Sequence, residues 1–253
     1  MLGWEIQILS IMHKGVAYIT GGTKGIGFAI AQALLANGIN VIFTGRTEAS
    51  ALEAEKQLNK GRTETDKQPL AKGYEADVRD LAAQQKAIES GTRAFGQAPS
   101  IVIANAGVGH FAPIHELTPE QWQETIEVNL TGVYNSLKAS LNGLIDQKGY
   151  FFTIASLAGA NFFAGGSAYN ASKFGLVGFT QAVMLDLRQQ GVKVSTIMPG
   201  SVATGFNGRT VSPADEWKIQ SEDIAQIVVD LLKMPARTLP SKVEVRPSKP
   251  TTR

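Results

Sequence analysis

The strongest constraint on this chain is the texture of its apolar runs. Residues 16–20 (VAYIT), 39–44 (INVIFT), 101–104 (IVIA), 150–155 (YFFTIA), 192–198 (VKVSTIM) and 243–245 (VEV) are short and rich in Val, Ile, Phe and Thr. A strand with one solvated face alternates apolar and polar residues, whereas a strand buried on both faces reads as a near-continuous apolar run. The runs therefore predict an α/β fold with a parallel sheet covered by helices. The intervening stretches, at 26–37, 48–60, 80–95, 119–147, 168–190 and 221–233, read as helices, so the chain is a series of right-handed strand–helix–strand units. Thr118 and Pro119 suit a helix start, as cap and first helical residue. Pro199-Gly200 ends one strand, and the polar segment 61–72 predicts a loop.

No internal repeat or linker divides the 253 residues, and parallel α/β folds reach about 250 residues as one unit. The expectation is one domain over 14–253 preceded by an N-terminal extension over 1–13. The apolar stretch 6–12 follows Glu5 and lacks a basic flank and a cleavage site, so it is not an export signal or a membrane span. It reads as a short extra strand, or as sequence upstream of a start at Met12. A cytoplasmic location follows as the expectation. The net charge of +2, without a Lys/Arg run, gives no footprint for nucleic acid. No cysteine is present, which excludes disulfides and thiol catalysis. His13, His110 and His115 lack ligand spacing, so no metal site is expected.

Directly after the first run comes Thr20-Gly21-Gly22-Thr23-Lys24-Gly25-Ile26-Gly27. Glycines tolerate positive φ and let a phosphate approach the backbone, and a helix N-terminus offers N–H donors and a positive dipole end. The spacing G-x-x-x-G-x-G differs from the usual G-x-G-x-x-G fingerprint, but strand, glycine turn and helix follow in the order a dinucleotide site needs. The second run ends in Thr44-Gly45-Arg46, where an acid would grip a ribose 2′-hydroxyl and an arginine would accept a 2′-phosphate. Arg46, with Lys24 from the glycine turn, favours NADP(H) over NAD(H). The alternative for both is two solvated surface cations.

Tyr169 and Lys173 stand four apart and share a helix face. Ser156 lies just past the fourth run, at the sheet edge where open α/β folds bind ligands. With these motifs in order, the sequence resembles the short-chain dehydrogenase/reductase superfamily, over 14–250. The resemblance rests on the glycine turn, Asp77-Val78, Asn105-Ala106-Gly107, Asn129, Ser156, Tyr169-x-x-x-Lys173, and Pro199-Gly200 followed by Val202 and Thr204. It implies a Rossmann-like doubly wound sheet of seven strands and carbonyl–alcohol chemistry with a nicotinamide cofactor. By the same resemblance Asp77 contacts the adenine, Asn105 supports the central strand beside the cofactor, and Thr204 meets the nicotinamide carboxamide. Asn129, Ser156, Tyr169 and Lys173 form the catalytic tetrad, with Asn129 holding a water that links Lys173 to solvent. For Asp77 the alternative is a turn cap, and for Asn129 a bond to a helix backbone group.

The implied reaction is reduction of a ketone or aldehyde, of 3-oxoacyl or similar type, on a small-molecule or carrier-bound substrate. Ser156 stabilises the oxyanion and Tyr169 gives the proton. A free phenol has a pKa near 10, and the Lys173 ammonium is expected to bring Tyr169 down toward neutrality. Val108, His110, Asn161, Phe162, Phe163 and Phe206 are the candidate substrate contacts. The lid over 201–220 is short and polar, which predicts an open site. A homodimer or homotetramer through helices 119–147 and 168–190 is the default assembly. The alternatives are an alcohol or sugar dehydrogenase working oxidatively, and a non-catalytic NADP-binding sensor.

Overall fold

The computed structural model describes residues 15–62 and 70–249. The expected extension over 1–13, and most of the expected loop over 61–72, lie outside the described residues. The strands are β1 (Val16–Ile19), β2 (Asn40–Gly45), β3 (Ala71–Glu75), β4 (Ile101–Ala104), β5 (Tyr150–Ile154), β6 (Lys193–Pro199) and β7 (Lys242–Val245). The helices are α1 (Gly25–Ala36), α2 (Glu48–Leu58), α3 (Leu81–Phe95), α4 (Pro119–Ile126), α5 (Gly132–Asp146), α6 (Ser167–Leu187) and α7 (Ser221–Leu232). All strand pairings are parallel, and the seven strands lie in the order β3-β2-β1-β4-β5-β6-β7.

Period-two alternation explains the continuous apolar runs. In β1, Ala17 and Ile19 face a core shared with Ile30 and Leu34 of α1 and Ile224 and Val228 of α7. Val16 and Tyr18 face the opposite core, with Val133 and Leu137 of α5 and Leu176 and Val183 of α6. Both faces are buried, so neither parity of residue can be polar without a partner. After β3 the chain returns to the other side of β1 to form β4. The connections at the C-terminal ends of β1 and β4 therefore diverge, and the crevice between them is where such sheets bind ligands.

Two elements differ from the sequence reading. β3 was expected to be loop at its start, yet it pairs with β2 in register Phe43↔Gly73. It is an edge strand whose last residue is exposed, so its sequence AKGYE need not be apolar. The expected helix over 119–147 is interrupted by a π-helical turn at Glu127–Thr131. Thr118 caps α4 as expected, in a capping box with Gln121. Among the described residues no helix is long and apolar enough to cross a membrane.

Phe43 links the core to the crevice. It is fully buried, and a Cβ on Gly22 would lie 2.6 Å from its own Cβ. A Cβ on Gly73 would lie 2.6 Å from its Cζ. The ring thus fills the space beneath the glycine turn. Phe43→Ala should lower unfolding free energy by about 3–5 kcal/mol, read as a shift in the urea midpoint with an unchanged slope.

Candidate active site

The glycine turn is shaped by close backbone contacts. Gly21 and Gly25 have φ of 65° and 57°, which side chains rarely adopt. At Gly27 a Cβ would lie 2.4 Å from the Gly21 carbonyl oxygen and 2.5 Å from Asn105 Nδ2. Asn105 Nδ2 donates to the carbonyls of Thr20 and Gly21, both at 3.0 Å. Thr20 Oγ1 in turn accepts from the backbone N–H groups of Asn105 at 3.1 Å and Ala106 at 3.2 Å. The turns after β1 and β4 are therefore knitted into one floor. Lys24, extended at the N-cap of α1, makes no side-chain cap, and the first turn of the helix contains no acid. The helix start thus has donors and a positive dipole end for an anionic group. Above Gly25 the nearest atom to a built Cβ is Thr204 Cγ2 at 3.6 Å, so Thr204 faces the turn across open space.

At the far end of the crevice, the Gly22 N–H donates to the Thr44 carbonyl at 3.0 Å. A Cβ on Gly45 would lie 2.5 Å from Thr23 Cγ2. These contacts set the glycine turn beside the end of β2, where Arg46 follows. Arg46 and Lys24 are both exposed and form no ion pair among the described residues. Asp77 is held by the Arg79 guanidinium at 2.6 Å, and that hydrogen bond keeps its carboxyl below the usual range, with Arg46 adding a smaller pull. Val78 is fixed from below. Gln84 Nε2 donates to its carbonyl at 2.7 Å, Asn135 Nδ2 donates to it at 3.0 Å, and the Tyr18 hydroxyl donates to Gln84 Oε1 at 3.1 Å. Gln84 and Asn135 are buried.

Ser156, Tyr169 and Lys173 converge at the C-terminal edge of the sheet. Ser156 follows β5, and its Oγ donates to the Pro199 carbonyl at 3.4 Å and accepts from the Ala158 N–H at 3.1 Å. Lys173 is buried, with Nζ 5.7 Å from the Tyr169 ring centroid and donating to the Ile154 carbonyl at 3.1 Å. Burial pulls its pKa down to about 8. Burial also pushes the Tyr169 phenol above its ordinary value, while a hydrogen bond with Ser156 pulls the other way.

Asn129 lies in the π turn and is fully buried. Its Oδ1 accepts from the Val108 N–H at 2.8 Å, and its Nδ2 donates to the Val108 carbonyl at 2.8 Å and to Ser172 Oγ at 3.0 Å. The side-chain amide is thus engaged with protein groups and pins the loop after β4. Gly107 sits over this junction, where a Cβ would lie 3.3 Å from Asn129 Oδ1 and 3.8 Å from Lys173 Nζ. Asn170 Nδ2 ties the loop after β5, donating to the carbonyls of Ala158 and Asn161, both at 2.8 Å.

The remaining candidates separate into two groups. Phe206, on the lid, stands 6.1 Å from the Tyr169 ring centroid, and Val108 carries the Asn129 bonds. The lid closes on itself through a parallel bridge, Val202↔Ile219, and is tied to the loop after β4 by Asn207 Oδ1, which accepts from the Gly109 N–H at 3.3 Å. His110 Nε2 pairs with Glu124 Oε2 at 2.7 Å. Asn161, Phe162 and Phe163 are exposed. The sequence reading missed Phe111, whose ring centroid lies 5.2 Å from that of Tyr169 in an edge-on contact. It also missed Gln84, Asn135, Asn170 and Ser172. An isolated polar residue on a helix has no periodic signal, and only its burial reveals it.

Residues 15–215 match the family model described as short chain dehydrogenase. The chain is 37% identical over 217 residues to a D-beta-hydroxybutyrate dehydrogenase of Cupriavidus necator, covering 85% of this chain and 79% of that protein. Among solved structures it is similar to an alcohol dehydrogenase from the archaeon Thermococcus sibiricus complexed with 5-hydroxy-NADP. That match has a TM-score of 0.84 and 28% identity, over 95% of this chain and 100% of the other. A 3-ketoacyl-ACP reductase from Sinorhizobium meliloti matches with a TM-score of 0.79 and 30% identity, over 91% and 97% of the two chains.

The buried Lys173 has a cost that titrates. Its folded value of about 8 lies below the ordinary lysine value of 10.5, so the unfolded chain binds the proton more tightly. Stability therefore rises between about pH 8 and pH 10.5 and is flat in this term below that window. Lys173→Met keeps the shape and removes the charge. It should be more stable than the parent by about 1–3 kcal/mol at pH 7, with the gap closing as the pH rises to 10.5. Urea titrations of both proteins across this range check it.

Proposed function

This chain belongs to the short-chain dehydrogenase family, and on that premise we propose that it is an NADPH-dependent reductase of ketones or aldehydes, of 3-oxoacyl or similar type. It is an oxidoreductase of the CH–OH/C=O class by that membership. The observation that supports this reading is the convergence of Ser156, Tyr169 and Lys173 at the C-terminal edge of the sheet, with Lys173 Nζ 5.7 Å from the Tyr169 ring centroid. A neutral phenol there can give its proton to a carbonyl oxygen.

The glycine turn from Gly21 through Thr23, Lys24, Gly25 and Ile26 to Gly27 holds the cofactor diphosphate at the start of α1. Arg46 and Lys24 take the 2′-phosphate, Asp77 and Val78 border the adenine, and Asn105, Ala106 and Gly107 form the floor. Pro199, Gly200, Val202 and Thr204 line the nicotinamide end. The reduced nicotinamide, when bound, supplies the hydride. Lys173 holds the ribose hydroxyls as a buried cation. Ser156 donates a hydrogen bond to the carbonyl oxygen as negative charge builds there. Tyr169 gives that oxygen its proton. Asn129 positions Lys173 and the 107–108 loop through the bonds described above.

The oxidative reading is favoured by one observation, the similarity to a D-beta-hydroxybutyrate dehydrogenase. In that direction Tyr169 takes the alcohol proton as a base. The outer faces of α5 and α6 expose Tyr134, Phe174 and Leu185, and we place pairing with a second copy there. A cytoplasmic location remains part of this proposal.

Tyr169→Phe should lower kcat by roughly 10²–10⁴ while the NADPH dissociation constant, read by cofactor fluorescence, stays within a factor of about three. Near-normal turnover in this variant would reassign the acid. Arg46→Asp should remove the preference for NADPH by placing a carboxylate against the 2′-phosphate. Dissociation constants for NADPH and NADH, measured in the parent and the variant, check this. Equal values for the two cofactors in the unmodified protein would falsify the assignment.

A further inference from the structure

The loops after β4 and β5 meet above Tyr169. The Ala112 N–H donates to the Gly165 carbonyl at 2.9 Å, joining the segment 109–114 to the segment 161–166. Phe111 and Phe163 meet across this seam at a tilt of 51°, with ring centroids 5.9 Å apart. Phe111 in turn meets the Tyr169 ring edge-on at 5.2 Å, and Phe206 approaches the same ring at 6.1 Å. Two glycines make the arrangement possible. At Gly109 a Cβ would lie 2.9 Å from Phe111 Cζ and 3.0 Å from Phe206 Cε1, and at Gly166 one would lie 2.6 Å from Phe163 Cε2. An unbroken line of aromatic rings thus runs from the proposed proton donor out to solvent.

That line is exposed where it leaves Tyr169. Phe111 is 43% exposed and Phe163 48%, and the same two segments carry Ile114 at 72% and Phe162 at 86%. Isolated apolar side chains on a surface need no explanation, but several on two joined segments that border a catalytic group mark a binding surface. Charge narrows what binds. No Lys or Arg occurs in 108–118 or in 155–172. On the lid, Lys218 is paired with Asp215, and Arg209 is exposed. The two segments therefore offer no lysine or arginine to a carboxylate-bearing substrate, and His110 is engaged by Glu124 at 2.7 Å. The chemistry of the rim is that of hydrocarbon.

We propose that Phe111 and Phe163 form an apolar binding rim, and that the substrate is a ketone or aldehyde bearing an uncharged hydrocarbon group, an alkyl chain or aryl ring, next to its carbonyl. Phe111 is the specificity-determining residue closest to the chemistry, and Phe163 extends the rim outward. The substrate's carbonyl lies at Ser156 and Tyr169, and its hydrocarbon group covers the two rings. The assignment of the carbonyl rests on the reductase reading above. The rim itself is a binding surface that can be measured without turnover.

The test uses the intact protein and two parallel series. The first is a set of methyl ketones with hydrocarbon groups lengthened one carbon at a time, with a 3-oxo acid of similar size for comparison, assayed with NADPH. The second is the matching set of unreactive primary amides, with dissociation constants measured by calorimetry in the presence of NADPH. Over the first several carbons, kcat/KM and amide affinity should each rise about twofold to fourfold per methylene. The 3-oxo acid should be the poorer substrate by tenfold or more. Phe111→Ala and Phe163→Ala should flatten both slopes, whereas Leu52→Ser, an exposed apolar residue on α2, should leave them unchanged. A flat or falling amide series in the parent, or slopes unaltered in both rim variants, overturns the proposal. Rising amide affinity with no reduction of any carbonyl keeps the rim and refutes the reductase reading instead. Light scattering of the variants covers the other occupant: a loss of subunits with unchanged slopes assigns the face to a second copy and overturns the proposal.

Discussion

The arrangement of this molecule depends on burying one lysine without a carboxylate beside it. Lys173 is on the inner face of α6, and no acidic group lies within ion-pair distance of it among the described residues. Desolvation of a cation is expensive, and here one hydrogen bond, to the Ile154 carbonyl, is what the structure gives in return. The surroundings follow from that placement. Ile154 is the last residue of β5, so the ammonium is tied to the end of the strand that leads into Ser156. Gly107 lacks a side chain where a Cβ would press on Asn129 Oδ1 at 3.3 Å, with the ammonium in ordinary contact at 3.8 Å. Asn129 and Ser172 bond to each other at the same junction, joining the π turn to α6.

Rigidity around the lysine is matched by openness around the phenol. Asn105, Thr20 and the glycine turn interlock through bonds of 3.0–3.2 Å, so the floor of the crevice is set by backbone positions and cannot drift. On the other side of Tyr169 lie exposed rings and a lid of short turns anchored at Gly109 by Asn207. Pre-organised donors on a rigid floor fix where a reacting oxygen sits, while an open rim leaves the rest of the substrate to be chosen by contact area. The two halves of the site therefore divide the tasks of chemistry and selection.

Much of this was legible in the sequence, because it is written in periodic or local signals. Six of the seven strands are apolar runs, and the glycine turn and the Tyr169–Lys173 spacing need only a strand or a helix around them to be meaningful. What was not legible depends on tertiary surroundings. β3 hides because an edge strand with an exposed last residue has no apolar texture. The π turn hides because one inserted residue does not alter a helical pattern, yet it is what carries Asn129 to Val108. Gln84 reads as a surface residue until Tyr18 and Val78 are seen to enclose it. Phe111 sits in a stretch without regular structure and shows its place only through the ring of Tyr169. Spacing gives the proximity of Lys173 to Tyr169 but not how deeply the two are buried.

The central claim is that Tyr169 gives its proton to the carbonyl oxygen from a phenol that burial holds above its ordinary value. The direct measurement is a pH titration of the protein labelled at tyrosine Cζ with carbon-13, with the Tyr169 signal assigned by its loss in Tyr169→Phe. The chain has five tyrosines, so the spectrum is simple enough to resolve. The account predicts that the Tyr169 resonance keeps the shift of a neutral phenol through neutral pH and titrates above that of the exposed Tyr134. A resonance that titrates near pH 7 would contradict it, and would return control of the phenol to the Lys173 ammonium.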